Sequence, residues 1–271
     1  MEQHKEFPNF WSAVLILALL LGLQIFMGVI AYGLGFRFEA GDPEFSAVLT
    51  VLSDGVVISA LMHYKMLTYK TLFHFTRNSV KSTVLVLSIP IVLTTGGAVF
   101  WISDITNLIV AYYPMSDHEY QAFNRLFNGG LASVVMVCLI APTLEEMLFR
   151  GIFLRSFLAN YSPRTAIALS SLLFALFHLN IYQLPVAFLF GCFSAWLYVN
   201  THSLWPSVLA HAMFNSLEIV LSYSQEIPDE FSQHAMAGFN PVWVVMLSIA
   251  VSTLGIVMLT KLFYPRRQPS A

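Results

Sequence analysis

Three short polar motifs lie inside apolar stretches of this sequence. They comprise Glu145, Glu146 and Arg150, then Phe174 and His178, then His211 and Asn215. A charged side chain at the centre of a bilayer costs about 2.5–3.5 kcal/mol on insertion scales, so such groups are usually paired or functional. Carboxylate, imidazole and carboxamide groups together can activate a water molecule and hydrogen-bond a developing oxyanion. The motifs therefore predict a hydrolytic site within the membrane.

The spacing of the first motif assigns different roles to its two carboxylates. Glu146 and Arg150 are i and i+4 on a helix, so we expect them to form a structural ion pair. Glu145 points about 100° away from Glu146, because an α-helix has 3.6 residues per turn. We therefore expect Glu145 to face a hydrated cavity, open to the cytoplasm, where it could act as a general base.

The other two motifs supply the imidazole and amide groups. His178 follows Phe174 by one turn on the same helical face, and His211 and Asn215 are again i and i+4. Glu145 with His178 could hold and deprotonate water, while His211 with Asn215 could hydrogen-bond an oxyanion. The residue types leave an alternative open, a three-ligand zinc site of Glu145, His178 and His211. Because the sequence has no HExxH and Asn is an uncommon zinc ligand, a site without a metal is favoured.

Each motif also has a simpler interpretation. Glu146 and Arg150 could belong to a purely structural salt-bridge network, and His178 could be a packing residue near a helix end. Phe174 is expected to be core packing beside the site. Three motifs in succession favour a functional site over these alternatives.

The elements that must position these residues are transmembrane helices. The chain of 271 residues is 57% hydrophobic and 10% charged, with a mean hydropathy of +0.71, which is far from a soluble domain. Windows of about 20 apolar residues predict eight helices. Their approximate bounds are 11–34, 46–63, 83–103, 131–158, 164–179, 183–200, 204–222 and 241–263.

Lysine and arginine residues predict the orientation, because they are enriched in cytoplasmic loops. With eight spans and a cytoplasmic N-terminus, the C-terminus is also cytoplasmic. The predicted cytoplasmic segments then contain Lys5, Lys65, Lys70, Arg77, Lys81, Arg155, Arg164, Lys261, Arg266 and Arg267. The external segments contain only Arg37 and Arg125.

Three parts of the chain are expected. Residues 1–130 hold helices 1–3 and an external loop, in which Ile105, Leu108, Ile109 and Tyr112 recur at the spacing of an amphipathic helix. Residues 131–222 hold a catalytic core of helices 4–7. Residues 223–271 hold the last helix and a cytoplasmic tail.

Several partners and cofactors can be set aside or left open. A net charge of −2, without basic stretches interleaved with aromatics, excludes nucleic-acid binding.

Cys138 and Cys192 lie in apolar runs, where a thiol is usually a packing residue. Asp54 is expected to be a hydrogen-bonded structural acid, and Glu218 to approach the external interface.

The order EExxxR, FxxxH, HxxxN resembles the CAAX-protease and bacteriocin-processing family, abbreviated CPBP or Abi, of intramembrane proteases. The resemblance covers about residues 130–220 and includes the stretch NTHSLWPS over residues 200–207. It implies that Glu145 and His178 activate the water and that His211 and Asn215 support the oxyanion. Glu146 and Arg150 would then be supporting groups. The family has been described both as metalloproteases and as metal-independent glutamate proteases.

The resemblance implies an intramembrane endopeptidase of a bilayer-embedded protein or peptide, either a prenylated CAAX tail or a bacterial membrane peptide. In a bacterium the location would be the plasma membrane. Two rivals from other classes remain: a proton- or ion-coupled transporter that uses the same polar groups, and a non-catalytic scaffold or immunity protein. The oligomeric state cannot be predicted from these features.

Overall fold

The computed structural model describes residues 6–36, 42–128, 130–224 and 238–264. Within these ranges every regular element is a helix, apart from an isolated β-bridge between His74 and Ser203. Before the fourth span the helices are α1 (Phe10–Gly33), α2 (Pro43–Tyr64), α3 (Tyr69–Phe73), α4 (Val80–Tyr112) and α5 (Asp117–Asn128). The fourth span consists of α6 (Gly130–Val135), the π-helix π1 (Met136–Ile140), α7 (Ala141–Glu146), the π-helix π2 (Met147–Leu154) and α8 (Arg155–Asn160). The remaining helices are α9 (Pro163–Phe177), α10 (Leu184–Thr201), α11 (Leu204–Ser224) and α12 (Val242–Phe263).

Seven of these helices are long and apolar enough to cross a membrane: α1, α2, α4, the continuous run Gly130–Asn160, α10, α11 and α12. The apolar helix α9 has 15 residues and is shorter than the others. It packs along α10 as an antiparallel hairpin, joined by a short loop, so it provides an eighth pass of the chain through the bundle. The prediction of an all-α, multi-pass membrane protein with about eight spans is confirmed.

Contacts between loops show which helix ends lie together. Lys65, at the end of α2, pairs with Glu6 at 3.0 Å, and Asn160, at the end of α8, donates to the Glu6 carbonyl at 2.7 Å. Phe263 of α12 packs its ring on Trp196 near the end of α10. We call this the near end of the bundle and the opposite end, with α5 and the α9–α10 loop, the far end. Both described chain ends of the spanning region therefore lie at the near end, as an even number of spans requires.

The side of the membrane on which the near end lies stays a prediction. Of the charges used to orient the chain, Lys5, Arg37, Arg266 and Arg267 lie outside the described residues. The predicted tail beyond residue 264 also lies outside them. The division into parts 1–130, 131–222 and 223–271 stays a prediction too, and helices of the first part pack against those of the others.

The predicted external loop does hold an amphipathic helix, α5, but the residues that were used to place this helix were wrong. Ile105 and Tyr112 belong to α4, which continues for 33 residues, because neither proline nor glycine interrupts the chain between Gly97 and Pro114. The separate amphipathic helix is α5. A capping box opens it: Glu119 accepts a hydrogen bond from the Ser116 backbone N–H at 2.8 Å, and Ser116 Oγ accepts one from the Glu119 N–H at 3.3 Å. The hydrogen bonds from Ser116 lower the pKa of the Glu119 carboxyl.

Glycine allows α4 and α12 to approach closely. A β-carbon at Gly255 would lie 2.6 Å from the Pro90 carbonyl oxygen, and one at Gly97 would lie 2.6 Å from the Ser248 carbonyl oxygen. Small residues at such crossings let backbones make van der Waals contact in a membrane, where hydrophobic association between helices is weak. This crossing joins the last span to the bundle.

Candidate active site

The glutamates of the first motif lie on a short α-helical turn between two π-helical segments. The helix α7 ends at Glu146, with π1 before it and π2 after it. Pro142 has no N–H to donate one turn back, and its ring crowds the preceding turn, which favours a local widening there. Such π segments are frequent at functional sites. Sequence periodicity alone gave no sign of them.

Glu146 and Arg150 form the predicted ion pair at the centre of the bundle. Arg150 Nη1 lies 3.0 Å from Glu146 Oε1, and both side chains are 0% exposed. The second terminal nitrogen, Nη2, donates to the Gly191 carbonyl of α10 at 3.1 Å. Glu146 also accepts a hydrogen bond from Ser194 Oγ at 2.6 Å. The pair therefore ties the fourth span to α10.

His211 lies between the two glutamates. Its Nδ1 is 3.0 Å from Glu146 Oε1, and its Nε2 is 3.7 Å from Glu145 Oε2. Because the ion-paired Glu146 carboxylate can only accept, Nδ1 is the donor in the first contact. Glu146 thus fixes the orientation of the imidazole, and Nε2 is directed to Glu145.

Glu145 differs from its neighbour in exposure. Its side chain is 18% exposed, against 0% for Glu146. The contact with His211 at 3.7 Å is longer than a direct hydrogen bond. A water molecule beside the two groups could accept and donate hydrogen bonds to both, as polar contacts beyond about 3.5 Å often do.

Phe174 links His178 to the charged centre. The ring of Phe174 lies 4.4 Å from the Arg150 guanidinium, and its centroid is 5.6 Å from that of His211 and 4.9 Å from that of His178. His178 Nδ1 lies 2.9 Å from the Phe174 carbonyl oxygen, an acceptor that makes Nδ1 the donor. In His178, as in His211, Nδ1 forms a hydrogen bond within the protein. Nε2 is then the ring nitrogen that a water molecule or a substrate could contact.

Asn215 joins α11 to π1. Its Nδ2 donates to the Val137 carbonyl at 2.8 Å. A backbone carbonyl oxygen has two lone pairs, so the Val137 carbonyl can accept this bond in addition to a bond within its own helix. The carboxamide uses one of its two N–H groups here, and the second remains.

Residues 127–217 match a family model described as "Type II CAAX prenyl endopeptidase Rce1-like". The matched range contains all seven residues of the three motifs. This segment is therefore similar to the Rce1-like endopeptidases. The resemblance inferred from the motifs is therefore confirmed.

A bacterial protein is similar to this chain over a segment of comparable length. A protein of Bacillus subtilis (strain 168) described as "Putative membrane peptidase YdiL" is 26% identical over 88 residues. The alignment covers 32% of this chain and 36% of that protein, so the similarity extends over about a third of each. No solved structure matches the chain.

Several groups in the Rce1-like segment were missed by sequence reasoning. Ser194 and the Gly191 carbonyl, both on α10, complete the bonds of the Glu146–Arg150 pair. Ser207 Oγ donates to the Ser194 carbonyl at 3.0 Å and holds α10 against α11. A small-residue pattern on α10 was the available signal, but serine and glycine are too common in membrane helices to be diagnostic.

Asp54 of α2 is a further buried carboxyl near the Rce1-like site. It is 1% exposed and accepts a long hydrogen bond from Gln24 Nε2 at 3.5 Å. It is close enough to Glu145 for the two carboxyls to interact electrostatically. The expected structural, hydrogen-bonded role of Asp54 agrees with these contacts.

The donor types of the site suit zinc, but the distances do not form a zinc site. In His178 and His211 an acceptor holds Nδ1 and leaves Nε2 for a further ligand, which is the usual arrangement around a metal-bound imidazole. In the described part of the chain, however, no group of three His, Cys, Asp or Glu side chains is close enough to share a metal ion. The zinc set of Glu145, His178 and His211 stays an alternative to be tested.

Proposed function

We propose that this protein is an intramembrane endopeptidase that hydrolyses a peptide bond with a water molecule activated by Glu145. The observation that supports it best is the pairing of a partly exposed Glu145 with His211, whose orientation is fixed by the fully buried Glu146. A structural network alone would not require one carboxylate to remain outside the ion pair. The match to the Rce1-like family model supports the same reaction class.

The first step of the proposed reaction is attack of water on the scissile carbonyl carbon. Glu145 and His178 Nε2 hold the water, and Glu145 takes one of its protons as the new C–O bond forms. The carbonyl oxygen becomes an oxyanion. In this proposal the groups that donate hydrogen bonds to the oxyanion are Nε2 of His211, in its protonated form, and the second N–H of Asn215.

The second step is cleavage of the C–N bond. Glu145 passes the proton that it took from water to His178 Nε2, and His178 delivers this proton to the leaving nitrogen. The products are a carboxylic acid and an amine, so water is consumed and no net proton is gained or lost. Arg150 and Glu146 do not contact the substrate in this scheme, and they act as positioning residues for His211.

The proposed substrate is a protein or peptide that reaches the site from the bilayer. The family description names CAAX prenyl endopeptidases, so a prenylated CAAX tail is one candidate, and an unprenylated membrane peptide is the other. No step of the proposed reaction uses the prenyl group. The choice therefore depends on how the lipid-facing helices receive a substrate.

A panel of quenched fluorescent peptides, prenylated and unprenylated, tests the proposal with detergent-purified protein. Replacing the proposed general base in Glu145→Gln should lower kcat by about 10²–10⁴-fold. His178→Ala should act in the same direction. The matched control is Glu44→Gln, which removes an exposed carboxylate of α2 and should leave cleavage within about twofold of wild type.

Each result separates the alternatives. Cleavage that persists in Glu145→Gln would contradict the proposed site. Loss of activity in a strong chelator, restored by zinc, would replace the water mechanism with the zinc alternative. If no peptide is cleaved, and a cellular phenotype survives Glu145→Gln, the protein is a scaffold; proton-coupled flux in vesicles that depends on Glu145 would instead indicate a transporter.

A further inference from the structure

A third polar group lies on the face of α11 that carries His211 and Asn215. Glu218 follows Asn215 by three residues and His211 by seven, and these are the spacings of a single helical face. At about 1.5 Å per residue, Glu218 lies about 10 Å beyond His211 along the helix axis. It lies on the far-end side of the site, one residue beyond the segment that matches the family model.

The Glu218 carboxylate is unpartnered within the described residues, in contrast to the buried acids Glu146 and Asp54. It is partly buried, and in the described part of the chain no hydrogen bond or ion pair reaches it. Glu146 has three donors, and Asp54 has Gln24. Ionisable groups in membrane helices normally pair with one another or mark a ligand pathway. A bound ligand can supply the partner that the protein does not.

Charge at the far end favours a cationic ligand. The acids there, among the described residues, are Asp42, Glu44, Asp104, Asp117 and Glu119. Arg125 is the sole Lys or Arg among the described residues at that end. A surface with one dominant sign of charge raises the local concentration of ligands of the opposite sign. The path to Glu218 from the far end therefore attracts positive groups.

We propose that Glu218, on the face of α11 that carries His211 and Asn215, binds a Lys or Arg side chain of the substrate. An extended peptide advances about 3.3 Å per residue, so the axial offset of about 10 Å corresponds to about three residues from the scissile bond. The inference depends on the proposed function for the position of that bond. It makes Glu218 a specificity-determining residue for basic peptides.

A lysine scan of one cleavable peptide tests this subsite. A single lysine is moved through five positions on each side of the scissile bond, and each peptide has a partner with norleucine, which keeps the aliphatic chain and removes the charge. Wild-type protein should show a lysine-over-norleucine ratio of kcat/KM of at least about tenfold at one position near the third residue. Glu218→Gln should reduce that ratio to about one, and Glu218→Lys should favour a glutamate at the same position.

The control variant is Glu44→Gln, which removes an exposed acid at the same end and should keep the wild-type ratio. An equal loss for lysine and norleucine peptides in Glu218→Gln would show a structural role and overturn the inference. A wild-type protein without any lysine preference would overturn it as well.

Binding provides a measurement that does not require turnover. Fluorescein-labelled lysine and norleucine peptides are titrated by anisotropy against Glu145→Gln protein, with and without Glu218→Gln. Tighter binding of the lysine peptide that disappears with Glu218→Gln supports the subsite even if no peptide is cleaved, in which case the proposed function alone fails. Equal binding of both peptides contradicts the subsite, whatever the cleavage assay shows.

Discussion

Replacing Arg150 with methionine should strongly destabilise the bundle. The guanidinium pairs with Glu146 at 3.0 Å, donates to the Gly191 carbonyl at 3.1 Å, and lies 4.4 Å from the ring centroid of Phe174. Methionine fills much of the same volume but provides none of these polar contacts. The Glu146 carboxylate, which is 0% exposed, would remain as a buried charge without its cation.

The size of the effect follows from that uncompensated charge. Removing one partner of a buried ion pair costs about 3–5 kcal/mol. In large domains a loss of 1 kcal/mol in the free energy of unfolding lowers Tm by at least about 2 °C. A loss of about 3–5 kcal/mol should therefore lower Tm by roughly 6–10 °C. Glu146→Gln combined with Arg150→Met should recover at least half of this decrease, because no charge is left unpaired.

A thiol-reactive dye can report this unfolding in detergent at a fixed heating rate. Cys138 is buried in the folded protein and becomes accessible when the bundle opens. The control is Arg164→Met at the exposed start of α9, which should change stability by less than about 0.5 kcal/mol. A Tm for Arg150→Met within about 2 °C of the Arg164→Met value would refute the argument that the pair stabilises the fold.

Three further outcomes are expected. Gly255→Ala should lower the stability by about 1–3 kcal/mol, because the added carbon would lie 2.6 Å from the Pro90 carbonyl oxygen; Gly22→Ala, with no atom within 4 Å, should be neutral or stabilising in the same thermal assay. Ser194→Ala removes a 2.6 Å hydrogen bond to a buried carboxylate and should cost about 1.5–3 kcal/mol, so an unchanged Tm would contradict the assigned network. The pKa of Glu119 is lowered below 4.5 in the folded protein, so its contribution to α5 is present above pH 4.5 and is lost as the pH falls through the lower, folded value; amide exchange in α5 should quicken over that acidic range, and Glu119→Ala should remove the pH dependence.

The sequence predicted the helices well because each span must satisfy its own backbone hydrogen bonds in lipid. The predicted span 241–263 and the observed Val242–Phe263 differ by one residue. The ion pair of Glu146 and Arg150 was predictable for a similar reason, since it depends on local spacing. The position of the loop helix was not, because Ile105 and Tyr112 keep the same periodicity whether α4 continues or a new helix begins.

Contacts between distant helices could not be predicted from spacing alone. Depth along the helices, counted from the ends that were predicted to be cytoplasmic, puts His178 about 10 Å beyond His211, although Phe174 contacts both imidazoles. The depth count depends on the tilt of each helix and on the residue at which it enters the membrane, and neither is encoded in a motif. The same is true of the bond from Asn215 to the Val137 carbonyl, which joins α11 to π1.

The π segment π1 sets the direction in which Glu145 points. A π turn accommodates one residue more than an α turn of similar height, so π1 contains a residue that an ordinary helix would lack. If Met136–Ile140 wound as a regular α-helix with the same number of residues, α7 would rotate by about 100° relative to the residues before it. Glu145 would then leave the face directed to His211, although every motif would still be present in the sequence. A relative that lacks one residue in this turn could instead keep the same face with a regular α-helix, because the deletion removes the residue that the π turn accommodates.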